Sequence, residues 1–401
     1  INKQISSSSV NSVAKKDFAN WLALIAASSI GLIAFSRGAS FDIILTFPIT
    51  ASLVSFFIFD QSKEKSFVAY HLPLITFYFF IGLALLAKGL IGVIFPFAIV
   101  AFYFLLSQKL PNKIFIFSLF WGTILSLIVA SSWYLPMYLT HGWTFIDEFF
   151  IQHHFERYTS NKYQHPQPFY FFFWVLPLMT IPWLAFFFAS IWDFIKGQGS
   201  RVKGQGFRKL PTANYQLSIF AFAWLLVPLV FFTFSGSKLP GYILPALPAA
   251  LLLTADYIYR FAEISRRRKY AVQFIAFAVF AVVAVALRFF VPAYAQADTT
   301  KYLIETANAN GYGDAKILNL HTISHNAEFY AAGRLVRDDD GKLKKFLGIA
   351  LVAEEIRRTG GGDVLVLVPL EYLHELPESN LVESKILADN GELAIVAVKN
   401  Q

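Results

Sequence analysis

Long apolar runs, separated by short polar segments, dominate the chain from Phe18 to Val291. Each run approaches the ~20 residues that an α-helix needs to cross ~30 Å of hydrocarbon. The pattern therefore predicts about nine membrane-spanning helices. The predicted spans are Phe18–Phe35, Phe41–Phe59, Val68–Ala87, Leu90–Leu106, Ile114–Leu139, Phe169–Ile195, Leu217–Phe234, Ile243–Tyr259 and Val272–Val291.

The composition agrees with a membrane protein. Of the 401 residues, 56% are apolar and only 15% are charged, and 44 are phenylalanines, which is more apolar surface than a soluble domain can bury. Cysteine is absent, so disulfides, thiol catalysis and cysteine metal sites are excluded. The net charge of +8 does not indicate nucleic acid, since the basic residues fall largely in short loops beside apolar runs.

The distribution of lysine and arginine predicts the orientation. The loops DQSKEKS, SQKLPNK and SRRRK, and the Gly-rich segment 196–215, alternate onto one side, which the positive-inside rule places in the cytoplasm. We therefore predict a cytoplasmic polar segment at residues 1–17 and a membrane core at 18–291. The core would include an outer loop at 140–168, and residues 292–401 would lie outside the cytoplasm.

The pattern changes near Pro292, where apolar and polar residues begin to alternate and charge rises. Helical spacing within 343–363 and β-branched runs at Val364–Val368 and near the C-terminus predict a small soluble α/β domain, with Val364–Val368 as a central strand. His321 and His325 have the i,i+4 spacing of one helix face, but without a nearby acid we expect them to be incidental. No phosphate-binding glycine loop is present, which argues against an ATP-driven pump.

The segment Asp147–Pro168 is strongly polar although it lies between two apolar runs. His153, His154 and Glu156 could bind Zn²⁺, Mn²⁺ or Mg²⁺, and the guanidinium of Arg157 could bind two phosphate oxygens. The alternative is an ordinary interfacial loop whose aromatic side chains lie at the depth of the headgroups.

Three further outer segments carry candidate polar side chains. Asp42 flanks the turn between the first two predicted spans, and Lys88 lies beside a glycine that would let a ligand approach. Lys238 and Tyr242 lie in SGSKLPGYILPALP, where glycines and prolines interrupt the helical pattern and could line a wet cavity. A lysine on such a turn suits a phosphate. Helix capping by Asp42 and snorkelling of the lysines are the alternatives.

Several of these segments together resemble one family. FSRGASFDIILTF, LALLAKGLIGVIFP, SSWYLPMYL, FIQHHFERYTSNKYQHPQPFYFFFWVLPLMTIPW and SGSKLPGYILPALPAALLL occur in this order. They resemble the lipid A 4-amino-4-deoxy-L-arabinose transferases, a branch of the GT-C membrane glycosyltransferases that is related to the dolichyl-phosphate-mannose protein mannosyltransferases. The resemblance covers roughly residues 18–259.

The resemblance implies an enzyme of the bacterial inner membrane. Its donor would be an undecaprenyl-phosphate-linked sugar, and its acceptor would be lipid A or another molecule outside the cytoplasm. It also implies a multi-pass α-helical fold of the GT-C type with a soluble periplasmic α/β domain. Carried over from the family, a histidine–arginine pair falls on His153 or His154 with Arg157, and a lysine and a tyrosine fall on Lys238 and Tyr242, all near the donor phosphate. Our predicted donor-phosphate ligands are therefore Arg157, Lys238, Tyr242 and His154, to which we add Lys88 from its position. The predicted metal ligands remain His153, His154 and Glu156.

One departure from the family concerns the catalytic acid. The family has an Asp-Glu motif after its first span and a Glu-Lys-Pro-Pro segment in the same loop, and neither is present in this chain. In the resemblance, the acid of the family's second short outer loop falls on Asp42, which is the candidate catalytic residue within this chain. We therefore expect that the chain is the C-terminal part of such an enzyme and that its main catalytic aspartate lies upstream of Ile1.

Two other classes of function compete with the transferase. A transporter or flippase of lipid-linked substrates would place functional charges near the middle of the bilayer, whereas the charges in this chain cluster towards one face. A non-catalytic membrane assembly protein, with the C-terminal domain binding a partner, is the second alternative.

Overall fold

The computed structural model describes residues 17–38, 40–62, 67–149, 167–202, 215–358, 360 and 362–400. By its internal contacts the chain divides into two compact units, Ile1–Phe280 and Ala281–Gln401. The first unit is helical, and the second contains a β-sheet.

The first unit is a bundle of apolar helices, which confirms the multi-pass α-helical class. Within the described ranges, six helices are long and apolar enough to cross a membrane, and the last of them continues into the second unit. The helices are α1 (Asp17–Ala27), α2 (Ile30–Arg37), α3 (Phe41–Gln61), α4 (Phe67–Lys88), α5 (Ile91–Ser107), α6 (Lys113–Ile146), α7 (Phe171–Met179), α8 (Leu184–Val202), α9 (Tyr215–Thr233), α10 (Leu247–Glu263) and α11 (Arg266–Val285).

Two of the predicted spans are bent. The run Phe18–Phe35 forms α1 and α2, which meet at 59°, and the run Phe169–Ile195 forms α7 and α8, which meet at 115°. Counting each bent pair as one span raises the number in the described ranges to eight, and α5, with 17 residues, is a shorter apolar helix. The figure of nine spans stays a prediction.

The two bends contact each other. The indole Nε1 of Trp183, which begins the turn into α8, donates to the carbonyl of Ile25 at 3.2 Å and lies 3.1 Å from Ser28 Oγ. In return, the backbone N–H of Ile30 donates to the carbonyl of Ile181 at 2.8 Å. Backbone groups that each break removes from a helix therefore find partners at the other break, as an apolar environment requires.

Glycines let α4 pack closely against its neighbours. A Cβ at Gly92 of α5 would lie 2.3 Å from the backbone carbon of Ala84, and one at Gly122 of α6 would lie 2.2 Å from the ring of Tyr78. Neither position can accept a side chain unless helices move apart. This contact fixes α4, whose last residue is Lys88.

The second unit contains a five-stranded sheet in the order β2-β1-β3-β5-β4. Strands β1, β2 and β3 are parallel, whereas β5 is antiparallel to β3 and β4. The strands are β1 (Ile317–Leu320), β2 (Lys345–Phe346), β3 (Val364–Pro369), β4 (Val382–Asp389) and β5 (Leu393–Asn400). The helices are α12 (Val291–Asp298), α13 (Lys301–Ala307), α14 (His325–Tyr330), α15 (Ile349–Arg358) and α16 (Glu375–Glu378).

The sheet confirms the prediction of a small α/β domain and of a central strand at Val364–Val368. Strand β3 is the middle strand, and its side chains Val364–Val368 are all buried. Apolar side chains pack on both faces, with Ile356 of α15 on one face and Leu303 and Ala327 on the other.

Asn319 is a buried polar residue of β1, which lies between β2 and the middle strand β3. Its side chain is fully buried in β1, and within the part of the chain that the structure describes neither amide atom has a hydrogen-bond partner. A buried polar group without a partner costs about 1–3 kcal/mol. We therefore expect Asn319→Leu to raise the free energy of unfolding by about that amount.

Chemical unfolding in detergent, followed by the sheet signal, measures this change. Asn308→Leu, at an exposed position, is the matched control and should shift stability by less than about 0.5 kcal/mol. A loss of stability in Asn319→Leu would contradict the interpretation, because it would show that the amide has a partner in solution.

Candidate functional site

Asp42 lies in the first turn of α3, directly after the turn that ends α2. Ser40 precedes the helix, and its Oγ accepts a hydrogen bond from the backbone N–H of Asp42 at 3.1 Å. The same hydroxyl donates to Asp42 Oδ2 at 3.3 Å. A serine cap therefore fixes both the start of the helix and one carboxylate oxygen.

The other oxygen of Asp42 contacts Lys88. The Lys88 Nζ atom donates to Asp42 Oδ1, and the two side chains, 26% and 15% exposed respectively, form an ion pair. Lys88 ends α4, and Gly89 follows it with φ of 65°, a left-handed conformation that a glycine adopts without strain. This turn brings Lys88 to a residue 46 positions away in the sequence.

Tyr242 completes the contact around Lys88. The ammonium lies 4.7 Å from the centre of the Tyr242 ring, within the range of a cation–π interaction. The tyrosine is 7% exposed, and its ring centre lies 5.4 Å from that of Phe232 in α9. Lys88 thus lies between a carboxylate and an aromatic face.

The segment that carries Tyr242 is a 3₁₀-helix, Pro240–Ala246, that leads directly into α10. Gly241, the residue before Tyr242 in this segment, packs against Asp42. A Cβ at Gly241 would lie 1.9 Å from Asp42 Oδ2 and 2.7 Å from Asp42 Cγ. Trp224 of α9 holds the far end of the segment, because its Nε1 donates to the Pro245 carbonyl at 2.8 Å.

Lys238 lies four residues before Tyr242, on the turn after α9. It is 7% exposed, and its Nζ donates to the Ser235 carbonyl at 2.6 Å. Ser235 Oγ in turn donates to the Ser237 carbonyl at 2.8 Å. Ser237 Oγ is buried and, within the described residues, has no hydrogen-bond partner. A buried ammonium next to an unpaired hydroxyl is an arrangement that an anion would stabilise.

The structure brings together Asp42, Lys88 and Tyr242, and it places Lys238 on the same turn as Tyr242. The remaining predicted ligands, His153, His154, Glu156 and Arg157, lie outside the described residues, so their convergence with Lys238 stays a prediction. Sequence reasoning missed Gly241 as a contact of Asp42 and Trp224 as a support of the turn. The glycine in SGSKLPGY was the available signal.

The expectation that His321 lacks an acidic neighbour was wrong. The ring Nε2 of His321 lies 3.0 Å from Glu375 Oε2, which is 54 residues further along the chain. His321 and His325 also do not share a helix, since His321 has a left-handed backbone conformation with φ of 58° and α14 begins at His325.

Comparisons with known proteins support the resemblance seen in the motifs. No family model matches the chain. An uncharacterised protein of Aquifex aeolicus (strain VF5) is 31% identical over 238 residues, which are 59% of this chain and 42% of that protein. The undecaprenyl phosphate-alpha-4-amino-4-deoxy-L-arabinose arabinosyl transferase of Wigglesworthia glossinidia brevipalpis is 27% identical over 219 residues, covering 54% of this chain and 35% of the transferase.

The transferase of the same name from Aeromonas salmonicida (strain A449) is 28% identical over 222 residues, or 54% of this chain and 36% of its own length. The chain thus spans less than half the length of these curated relatives. Among solved structures, ArnT from Cupriavidus metallidurans bound to undecaprenyl phosphate superposes with a TM-score of 0.66 and 16% identity, covering 96% of this chain and 81% of that one. The GT-C fold and the resemblance to the aminoarabinose transferases are confirmed.

Proposed function

We propose that this chain, an ArnT-like protein of the GT-C class, acts in a membrane glycosyltransferase. The enzyme would move a sugar from a polyprenyl-phosphate donor to lipid A or another acceptor outside the cytoplasm. The observation that carries this proposal is the turn 235–242, beside the Asp42–Lys88–Tyr242 cluster. It holds a nearly buried lysine and a buried hydroxyl that has no partner among the residues the structure describes. The relatives named above and the fold they share supply the reaction class.

The reaction breaks the bond between the anomeric carbon and the phosphate oxygen of the donor. The acceptor oxygen forms the new bond to that carbon, its proton passes to a base, and the polyprenyl phosphate leaves with the bonding electrons. Negative charge grows on the leaving phosphate, so fixed cations near it lower the barrier. We assign this role to Lys238 and Arg157, with Tyr242 and a histidine of the 153–154 pair as further ligands.

Asp42 has a supporting role in this proposal. One of its oxygens contacts Lys88 and the other accepts from Ser40 and packs against Gly241, so neither faces an acceptor freely. The carboxylate holds the Lys88 ammonium against the Tyr242 ring and thereby orients the turn that carries Lys238.

The only place where we propose a divalent cation is the polar segment Asp147–Pro168. Within the described ranges no group of three or more His, Asp or Glu side chains could hold a metal ion. The candidate ligands His153, His154 and Glu156 lie outside those ranges, so no step of the reaction is routed through a metal.

Reconstitution in proteoliposomes tests the function. A radiolabelled sugar on undecaprenyl phosphate is offered with lipid A, and the labelled product is separated by thin-layer chromatography, while native mass spectrometry measures binding of undecaprenyl phosphate. Lys238→Met should weaken that binding at least tenfold, or ~1.4 kcal/mol, and Lys109→Met, at an exposed loop position, should not. Equal binding of undecaprenyl phosphate by both variants would show that Lys238 does not bind the donor phosphate.

Arg157→Ala should cost about 2–4 kcal/mol of transition-state stabilisation, comparable to deleting one donor from an oxyanion hole. Arg157→Lys should recover only part of this loss, because an ammonium cannot reproduce the bidentate contact of a guanidinium. The ratio of kcat/KM values in the transfer assay measures the effect. A full recovery by lysine would show that charge alone suffices.

The proposed location is the bacterial inner membrane, with residues 292–401 in the periplasm. Because the chain has no cysteine, single cysteines at Gly204 and Asp339 report topology without background. In intact spheroplasts we expect an impermeant maleimide to label position 339 and to leave 204 unlabelled until the membrane is opened. Labelling of 204 in intact spheroplasts would reverse the orientation and contradict the proposed site of reaction.

A further inference from the structure

In the sheet of the C-terminal unit, the chain segments that follow two neighbouring strands pack on opposite faces of the sheet. Strands β1 and β3 are parallel neighbours. After β1 the chain enters α14, whose Ala327 packs in the core of one face. After β3 it enters a short 3₁₀ turn and α16, whose Leu376 packs in the core of the other face. In open α/β sheets, ligands bind beyond the carboxyl ends of strands at such points.

Three side chains meet at this position. His321 is the first residue after β1, and Tyr372 and Glu375 follow β3. His321 Nε2 lies 3.0 Å from Glu375 Oε2, and the centre of the imidazole ring lies 4.3 Å from the centre of the Tyr372 ring. The side chains of His321 and Glu375 are 16% and 30% exposed, so solvent reaches both.

The backbone holds His321 in an unfavourable conformation. Its φ of 58° is left-handed, where a residue other than glycine costs about 1–2 kcal/mol. The backbone N–H of His321 donates to the carbonyl of Phe346 at the end of β2, at 2.8 Å, which keeps the residue in place. A glycine or asparagine would adopt this conformation more easily, so the imidazole is present at a conformational cost.

The chemistry of the three side chains defines what they can bind. A neutral imidazole that donates from Nε2 to a carboxylate presents the lone pair of Nδ1 as an acceptor. The second oxygen of Glu375 is another acceptor, and Glu371 and Glu378 add negative charge on the same segment. Acceptors with negative charge repel phosphate and favour a ligand that supplies hydroxyl or ammonium donors.

A metal ion fits these groups less well, because among the described residues there is no cluster of three or more potential ligands. We propose that the carboxyl end of β1 and β3, formed by His321, Tyr372 and Glu375, binds the hydroxyl or amino groups of a saccharide. Its hydroxyls would donate to His321 and Glu375, and its apolar face would pack near Tyr372. The site is independent of the proposed transfer reaction, since it uses none of the residues assigned to it.

Saturation-transfer NMR on the full chain in detergent tests this inference with two probes, methyl glucoside and glucosamine. His321→Asn is chosen because asparagine tolerates the left-handed conformation, and Glu375→Gln because it keeps the shape while removing the charge. His325→Asn, four residues further on, is the matched control. Circular dichroism melting checks that all variants remain folded.

We expect saturable binding of at least one probe, reduced at least tenfold by His321→Asn and unchanged by His325→Asn. A larger loss for glucosamine than for methyl glucoside in Glu375→Gln would assign the ammonium to Glu375, and equal losses would assign a hydroxyl. Absence of saturable binding in the unmodified chain, or binding unchanged in folded His321→Asn and Glu375→Gln, would overturn the inference. Binding of undecaprenyl phosphate is measured separately, so failure here leaves the proposed transferase function intact.

Discussion

Replacing Lys88 with methionine is expected to lower the free energy of unfolding by about 3 kcal/mol, because it leaves a largely buried carboxylate without its cation. Lys88 is the partner of Asp42 Oδ1, and the Asp42 side chain is only 15% exposed. The change also removes the ammonium from the face of the Tyr242 ring. We therefore expect donor binding and sugar transfer to fall together with stability.

A double replacement separates the two effects. Asp42→Asn combined with Lys88→Met removes both charges, so most of the lost stability should return, while transfer should stay low because the turn 235–242 has lost its support. Unfolding in detergent measures the stability, and the proteoliposome assay measures sugar transfer. If Lys88→Met alone left stability unchanged, the ion pair would be too well solvated to matter, as surface pairs generally are.

Gly241→Ala should reduce transfer by about a hundredfold, since a displacement of about 1 Å at a reacting site can cost that much. The added Cβ would lie 1.9 Å from Asp42 Oδ2, so the carboxylate or the turn has to move by at least about 1 Å. The movement pulls Asp42 away from Lys88 or shifts Tyr242. Initial rates in the transfer assay measure the loss.

Gly197→Ala is the matched control for this substitution. Gly197 lies in α8, is exposed, and a Cβ there would meet no atom within 4 Å. It should therefore keep normal activity. A Gly241→Ala variant with normal transfer would show that the turn moves without affecting the reaction, and Asp42 would then have no positioning role.

The membrane helices follow from the hydrophobic pattern, but their bends do not. The run Phe169–Ile195 is apolar on both sides of its 115° bend, so hydropathy alone reads it as one straight span. Hydropathy reports the environment of a residue and not the direction of the backbone. The contact of Trp183 with Ile25 that accompanies the bend involves residues 158 positions apart, which no local pattern can indicate.

The same limit applies to the candidate site. The charge of Asp42 and Lys88 and the broken pattern around Lys238 could be noticed in the sequence, but the pairing of the first two depends on how α3 and α4 pack. In the C-terminal unit, the buried β3 was recognisable by its β-branched residues. Strand β4 was not, because as an edge strand it alternates irregularly and includes a bulge near Ile386.

The reciprocal hydrogen bonds between the two bends have a consequence for the order in which the protein assembles in the membrane. The break between α1 and α2 is synthesised first, and Trp183, which bonds to Ser28, follows 155 residues later. Until that segment is inserted, the N–H of Ile30 has to be satisfied by water or by a straighter helix, because lipid offers no partner, and the carbonyl of Ile25 accepts from the Ser28 hydroxyl at 3.4 Å but not yet from Trp183. We therefore expect the first bend to reach its final shape only late in synthesis, and a ribosome stalled before Trp183 should hold a membrane intermediate in which residues 17–37 form a straighter helix.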